Sequence, residues 1–222
     1  MQEDYSDLMK PWHTRIVEEA FADEKVFKPT PKSSSHSAPI AKLYNAMFSA
    51  LQQELLGYIH AQPAGFFEQL VIDVVLALGY AGRRRDLARK IGRAGDGGID
   101  AVIALDELGL DAIYLQAKRL KPGSNVSAPQ VRDFIGGLET RHATKGVFVT
   151  TGDFTSAARS AAENVSKRVV LINGTALTDL MIRHCIGVRL IETFQFKELD
   201  LSYFQGWATG GSKISTGPQT RK

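Results

Sequence analysis

The stretch GDGGID, residues 95–100, ends in an aspartate, and YLQAKR, residues 114–119, carries a glutamine and a lysine two positions apart. Around them, apolar and polar residues alternate in IDAVIAL (99–105) and in DAIYLQAK (111–118), as expected for two half-buried strands. DELGL, residues 106–110, lies between them and contains the glycine typical of a turn. The two stretches are therefore predicted to form a β-hairpin.

The length of the loop predicts the register of this hairpin. If Leu105 and Asp111 flank a five-residue loop, Asp100 falls opposite Gln116, and Lys118 lies one pleat further on the same face. A carboxylate and an ammonium are costly on a core sheet unless they meet partners or a metal. Carboxylate and amide oxygens suit a hard dication such as Mg²⁺, which would bind a phosphate, lower the pKa of a water and stabilise developing charge, with help from Lys118. The hairpin therefore predicts a site that cleaves phosphodiesters.

Helices and strands alternate along the rest of the chain, which predicts an α/β fold with a mixed sheet. The helices are predicted from apolar residues at helical spacing, and the strands from short apolar runs. Predicted helices cover residues 40–60, 65–78, 131–142, 154–165 and 175–184, and further strands cover 146–151, 169–172 and 187–196. Glu68 is expected in the first turn of the second helix.

Composition divides the chain into three parts. Residues 1–38 form an acidic arm, with one short amphipathic helix predicted around Trp12 and Phe21, followed by a Pro/Ser-rich linker. Residues 39–205 are predicted to form a single domain, and the Gly/Ser/Thr-rich residues 206–222 a disordered tail. The arm is too short to fold alone and is expected to dock on the body or on a partner.

Charge is distributed unevenly between these parts. The formal net charge is +3, but residues 1–24 carry seven acids and two bases, a net −5, which leaves +8 on the remainder. A basic body suits a polyanionic partner, although a solvated surface is the alternative. The residues assigned to binding the DNA backbone are Arg83, Arg84, Arg85, Arg89, Lys90, Arg93 and Arg119.

Several classes of protein are excluded by composition. The single cysteine, Cys185, cannot form an internal disulfide, and no Cys/His cluster is present to hold zinc. The N-terminus lacks the apolar segment of a signal peptide, and no apolar run is long enough to span a membrane. We therefore expect a cytoplasmic protein that works in a reducing compartment and does not span a membrane.

The order of FFEQLV, GDGGID, LQAKR, GVFVTT and DFTSAA resembles the Mrr-type restriction endonuclease domain, a branch of the PD-(D/E)XK nuclease superfamily, over about residues 64–200. The resemblance implies a restriction-endonuclease-like fold, with a four-stranded mixed sheet flanked by helices. It implies that Asp100 is the metal-binding acid, Gln116 replaces the second acid, Lys118 is the catalytic lysine and Glu68 is an auxiliary acid. Asp100, Gln116 and Glu68 would then hold Mg²⁺, or alternatively Mn²⁺, in an endonuclease that cuts foreign double-stranded DNA, whether modified or not, in antiviral defence.

The chain departs from the family pattern in two respects. Gln116 is neutral, as in the QxK variant of Mrr-like proteins, so Asp100 and Glu68 must supply the negative charge. Mrr proteins usually carry an N-terminal winged-helix domain, and the segment that precedes the nuclease region here is too short for one. We therefore expect a partner chain to supply target recognition, and a homodimer to supply two sites for double-strand cleavage.

Other interpretations of the same residues remain open. The chain could be a non-catalytic DNA-binding subunit of a multi-protein defence assembly, or a repair or junction-resolving nuclease. Asp100 could be a turn residue, Lys118 an edge lysine and Glu68 a partner of its helix dipole. Thr155 or Asp153 is expected to cap the helix that follows, and Thr150 and Thr151 are expected to cap it or to contact phosphate. His142 and His184 are expected at the surface or in the core. Cys185 is expected to pack in the core.

Overall fold

The computed structural model describes residues 37–80, 85–90 and 98–193, together with 195 and 197. The predicted arm, its helix, most of the linker, the tail, and Arg83, Arg84 and Arg93 lie outside these residues, as does the side chain of Arg85. Contacts between residues divide the chain into two compact units, residues 1–189 and 190–222. Across the described part, no helix has both the length and the hydrophobicity needed to cross a bilayer.

A five-stranded mixed sheet organises the first unit, in the order β1-β2-β3-β5-β7. The strands are β1 (Ala88–Lys90), β2 (Ala101–Ala104), β3 (Ala112–Lys118), β4 (Asn125–Val126), β5 (Lys145–Thr150), β6 (Asp153–Phe154) and β7 (Arg168–Ile172), of which β4 and β6 form a separate parallel pair. β1, β2 and β3 are antiparallel neighbours, whereas β3, β5 and β7 run parallel. The predicted mixed α/β fold is confirmed, with β1 as a strand that was not predicted.

Five helices cover the two faces of this sheet in the described chain. They are α1 (Ser37–Ala61), α2 (Ala64–Ala77), α3 (Ala128–Thr140), α4 (Ser156–Glu163) and α5 (Gly174–Arg183). Strand alternation sends Val149 to a core shared with α1, α2 and α5, and Phe148 to a core shared with α3 and α4. Phe134 and Phe154 pack edge-on against Phe148, each with ring centroids 5.5 Å away. The sheet is thus buried between two layers of helices.

The predicted register of the β2–β3 hairpin is confirmed. Ala101 pairs with Leu115, and the Leu105 N–H donates to the Asp111 carbonyl at 2.8 Å. The Asp106 carboxylate closes the loop by accepting from the backbone N–H groups of Leu108, Leu110 and Asp111 at 2.7–3.2 Å. The bond from Asp111 is the main cause that lowers the pKa of Asp106 below its ordinary value.

Capping interactions explain where two helices begin. α3 starts at Ala128, earlier than predicted, because Ser127 and Gln130 form a capping box in which the Ser127 N–H donates to Gln130 Oε1 at 2.8 Å. The predicted cap by Thr155 is confirmed, since its Oγ1 accepts from the Ala158 N–H. The carboxylate of Asp153 instead accepts from the Phe154 N–H and from Asn173.

Three predictions about local structure are wrong. α2 begins at Ala64 and has no acid in its first turn, so Glu68 lies beyond the reach of the helix N-terminus. The described residues of 187–196 form no strand, because Cys185 and Gly187 take positive φ after α5 and the chain then leaves Leu190 and Ile191 exposed. Cys185 is exposed at this turn and does not pack in the core.

Candidate active site

Asp100 is held against the neighbouring strand by two hydrogen bonds. Its N–H donates to the Leu115 carbonyl at 2.9 Å, and its Oδ2 accepts from the Ala117 N–H at 2.7 Å. Burial raises the pKa of Asp100 above its ordinary value, and Glu68 adds to the rise. The bond from Ala117 and the charges of Lys118 and Lys90 oppose that rise. The hairpin thus places an ionisable carboxylate beside the segment that carries Gln116 and Lys118.

The side chain of Gln116 contains a buried hydrogen-bond acceptor that has no donor in the described part of the chain. Its Oε1 has no hydrogen-bond partner among the described residues. Such an orphan costs about 1–3 kcal/mol, so a donor or a cation at this oxygen would stabilise the fold. Gly98 packs directly on the amide: it has φ +76°, and a Cβ added there would lie 2.5 Å from Gln116 Nε2. The positive φ favours glycine at residue 98, and a larger residue there would also have to displace the Gln116 amide.

Glu68 approaches Asp100 from α2, on a different element from the hairpin. Its charge acts on the Asp100 carboxyl, and its Oε2 lies 3.6 Å from Lys90 Nζ. Lys90 ends β1, pairs with Ala101 and also donates to the Gly65 carbonyl at 3.4 Å. The charges of Glu68, Lys118 and Lys90 thus all act on Asp100, and Lys90 was not among the residues predicted for this group.

Two buried threonines fix the end of the strand that carries Lys118. Thr150 is the last residue of β5, and Thr151 follows it directly. Thr150 pairs with Lys118 and donates its hydroxyl hydrogen to the Lys118 carbonyl at 2.8 Å. Thr151 Oγ1 accepts from the Leu120 N–H at 2.9 Å and lies 3.2 Å from the Leu120 carbonyl. These hydroxyls hold the backbone around Lys118. In the sequence, only the position of these threonines at the end of an apolar strand points to this role.

The donor set fits a hard dication. Throughout the described ranges no group of three or more His, Cys, Asp or Glu side chains could hold a metal. The oxygens available are the two carboxylates of Asp100 and Glu68 and the orphan amide oxygen of Gln116. Oxygen-only donors favour magnesium or manganese over zinc.

The basic residues assigned to DNA divide into two groups. Arg89 and Lys90 lie on the short edge strand β1 and are exposed. Arg119 is half-buried, and its guanidinium donates to the carbonyls of His60 and Gln62, which connect α1 to α2. Arg119 therefore ties the end of β3 to the segment that leads into the helix carrying Glu68.

Known families provide an independent comparison for this geometry. A family model described as a restriction endonuclease, Mrr_cat, matches residues 59–181, a range that includes Glu68, Asp100, Gln116 and Lys118. The Type IV methyl-directed restriction enzyme EcoKMrr of Escherichia coli (strain K12) is 40% identical over 188 residues, which cover 82% of this chain. The chain spans 60% of the length of that curated relative.

Two solved structures are also similar to the chain. One is the MspJI restriction endonuclease in complex with a 27-mer oligonucleotide, with a TM-score of 0.47 and 27% identity over 69% of this chain and 33% of that one. The other is the DNA modification-dependent restriction endonuclease AspBHI, with a TM-score of 0.45 and 20% identity over 64% of this chain and 36% of that one.

Proposed function

Because the chain belongs to the Mrr-type family of restriction endonucleases, we propose that it is a metal-dependent endonuclease that hydrolyses phosphodiester bonds in foreign double-stranded DNA. One observation carries the proposal: the Asp100 carboxylate is fixed by the N–H of Ala117, the residue that follows Gln116, whose side-chain oxygen is buried without a hydrogen-bond partner among the described residues. Since the relative EcoKMrr is named as methyl-directed, DNA with methylated bases is the substrate class we propose. Restriction of foreign DNA takes place inside the cell.

Each side chain has a separate role in this proposal. Asp100, Glu68 and Gln116 would hold a divalent cation, Mg²⁺ or Mn²⁺, through oxygen atoms. When bound, the cation would lower the pKa of the attacking water and stabilise the charge that develops on the phosphate. The Lys118 ammonium would hydrogen-bond a non-bridging phosphate oxygen, and the hydroxyl of Thr150 holds the carbonyl of Lys118 in place.

Asp100→Asn and Lys118→Met test these roles. The amide introduced by the first substitution would keep an acceptor for the Ala117 N–H but lose the charge that attracts the cation. Both variants should lose cleavage by about 10²–10³-fold or more, while their affinity for DNA changes little. The measurement is nicking of methylated and unmethylated plasmid with Mg²⁺, Mn²⁺ or EDTA, alongside DNA binding in EDTA. Cleavage at the wild-type rate in either variant would contradict the assignment.

A second function is supported by the small number of acids at the site. With two carboxylates and a neutral Gln116, the chain could bind DNA as a non-catalytic subunit. In that case the wild-type protein would bind DNA but would not nick it with either metal. Nicking that depends on Asp100 would exclude this alternative.

Assembly is the remaining part of the proposal. One site of this kind cuts one strand, so double-strand cleavage would use two copies of the chain or a partner nuclease. A partner chain could also select the target. Nicking by the isolated chain, followed by linearisation that rises with the square of protein concentration, would support a homodimer.

A further inference from the structure

Lys90 occupies a position at the acidic site that the proposed function does not explain. It belongs to the exposed basic segment, yet its Nζ lies 3.6 Å from Glu68 Oε2 and within reach of the Gly65 carbonyl in the same helix. Its pairing partner Ala101 directly follows Asp100. Lys90 thus contacts one carboxylate proposed to hold the cation, that of Glu68, and its charge also acts on the other, that of Asp100.

Formal charges in this cluster cancel before any metal binds. The described charged groups that act on Asp100 are one carboxylate, Glu68, and two ammonium groups, Lys118 and Lys90. With Asp100 itself, the cluster holds two negative and two positive charges. The two ammonium groups therefore offset part of the attraction of the two carboxylates for a divalent cation, to which Gln116 would add an oxygen.

The contact between Lys90 and Glu68 can be broken at little cost. The two side chains are 43% and 40% exposed, so water screens the pair and can solvate the ammonium once it leaves. Lysine is a single point charge on a flexible stem, and its contact with the carboxylate at 3.6 Å is long. Lys90 can therefore leave Glu68 without disturbing the sheet.

We propose that Lys90 is a resident counterion that pairs with Glu68 in the metal-free protein and must leave it when the divalent cation binds. This proposal deepens the proposed function and rests on it. Lys90 acts through Glu68 and is a positioning residue. Its presence lowers the affinity for the metal in the absence of DNA, and its departure frees a cation next to the site at which the DNA phosphate would lie.

The affinity for Mn²⁺ in the absence of DNA measures this effect directly, by titration with electron paramagnetic resonance detection of free Mn²⁺. Lys90→Gln should bind Mn²⁺ roughly 3- to 10-fold more tightly than wild type, since one nearby positive charge is removed. Lys90→Arg keeps the charge and should bind as wild type does. Lys42→Gln, on α1 and about 27 Å along the helix axis from His60, controls for net charge and should have no effect.

A double-mutant cycle separates an effect through Glu68 from a general effect of charge. In the Glu68→Gln background, Lys90→Gln should tighten Mn²⁺ binding clearly less than in the wild-type background, because the pair with Glu68 is gone and only the effect of the Lys90 charge on Asp100 is left. Equal tightening in both backgrounds, or unchanged affinity in Lys90→Gln, would overturn the proposal. Circular dichroism spectra of all variants verify that they are folded, and Lys90→Met provides a second neutral variant.

The Mn²⁺ titration gives a different result if the proposed function itself is wrong. If wild type binds no Mn²⁺, or Asp100→Asn binds it equally well, the metal site itself is refuted and the role of Lys90 falls with it. If Mn²⁺ binding depends on Asp100 but not on Lys90, only the counterion proposal is overturned.

Discussion

Gln116 is the residue of the candidate site that departs from the usual superfamily pattern. A carboxylate stands at this position in most of the superfamily, whereas here a neutral amide presents a buried oxygen without a partner among the described residues. The amide avoids a third negative charge next to Asp100, whose pKa is already raised by burial and by Glu68. If the cation binds as proposed, the neutral amide would make the metal-free site easier to tolerate and its attraction for the metal weaker.

Gln116→Glu should change stability and metal affinity in opposite directions. Without metal, a third partly buried carboxylate should destabilise the protein by about 1–3 kcal/mol, since it lacks a partner and repels Asp100. Mn²⁺ binding should become roughly 10-fold tighter, because the ligand gains a negative charge. Urea unfolding and Mn²⁺ titration measure the two effects, and Gln53→Glu on the exposed side of α1 is the control. Unchanged affinity would place residue 116 outside the metal site.

At the scale of residues, only part of this site could be predicted from the sequence. Loop length and alternation were sufficient to predict the register that pairs Ala101 with Leu115, because antiparallel register follows from where the turn begins. Lys90 was assigned to DNA alone, since a three-residue edge strand leaves no alternation to detect. The ties from Thr150 and Thr151 depend on the parallel pairing of β3 with β5, which links residues 32 positions apart and has no local pattern.

At the scale of elements, the hairpin loop determines the register on which the site depends. A slip of one residue would move Asp100 away from Gln116 and turn its side chain to the other face of the sheet. Asp106 opposes such a slip by accepting three backbone hydrogen bonds within the loop.

Asp106 should make stability depend on pH in the acid range. The pKa of Asp106 is lowered in the folded protein, so its contribution is present above the unfolded value of 3.8 and is lost as pH falls through the folded pKa. Asp106→Ala should therefore be less stable than wild type at neutral pH, and the difference should shrink below pH 3.8. Asp106→Asn keeps Oδ1 but loses the acceptor for Asp111, and should be intermediate. Urea unfolding between about pH 3 and pH 7 gives the comparison, and a difference independent of pH would contradict the account.

The helix boundaries are set by capping residues more than by the hydrophobic periodicity of the sequence. The capping box at Ser127 and Gln130 extends α3 by a turn at its start, although the polar residues there gave no helical spacing. The predicted strand at 187–196 contains apolar residues but has no strand to pair with among the described residues, and a strand without a neighbour gains no hydrogen bonds from a sheet. Alternation identifies a strand only when the sheet has a place for it.

At the scale of the whole molecule, two helical layers bury the sheet and leave β1 exposed at its edge, beside the site. The described basic residues on β1, Arg89 and Lys90, are exposed there. An edge strand with cations can contact a DNA backbone while the strands inside the sheet hold the catalytic groups. The fold class was predictable because it depends on the order of helices and strands, which short apolar runs reveal.

Arg89 should contribute to DNA binding without selecting sequence. Arg89→Gln should weaken binding about equally for all duplexes and reduce the slope of log affinity against log salt concentration by about one. Fluorescence anisotropy at several salt concentrations measures the slope, with the exposed Arg132→Gln on α3 as control. An unchanged slope in Arg89→Gln would remove β1 from the DNA interface.

The central claim is that Asp100, Glu68 and Gln116 surround one divalent cation, with Lys118 beside it. The most direct test is an anomalous difference map from crystals of the wild-type protein soaked in Mn²⁺. The account predicts a single strong peak within bonding distance of the Asp100 carboxylate and Gln116 Oε1, together with movement of Lys90 away from Glu68. A peak elsewhere, or none at these oxygens under conditions that support cleavage, would contradict it.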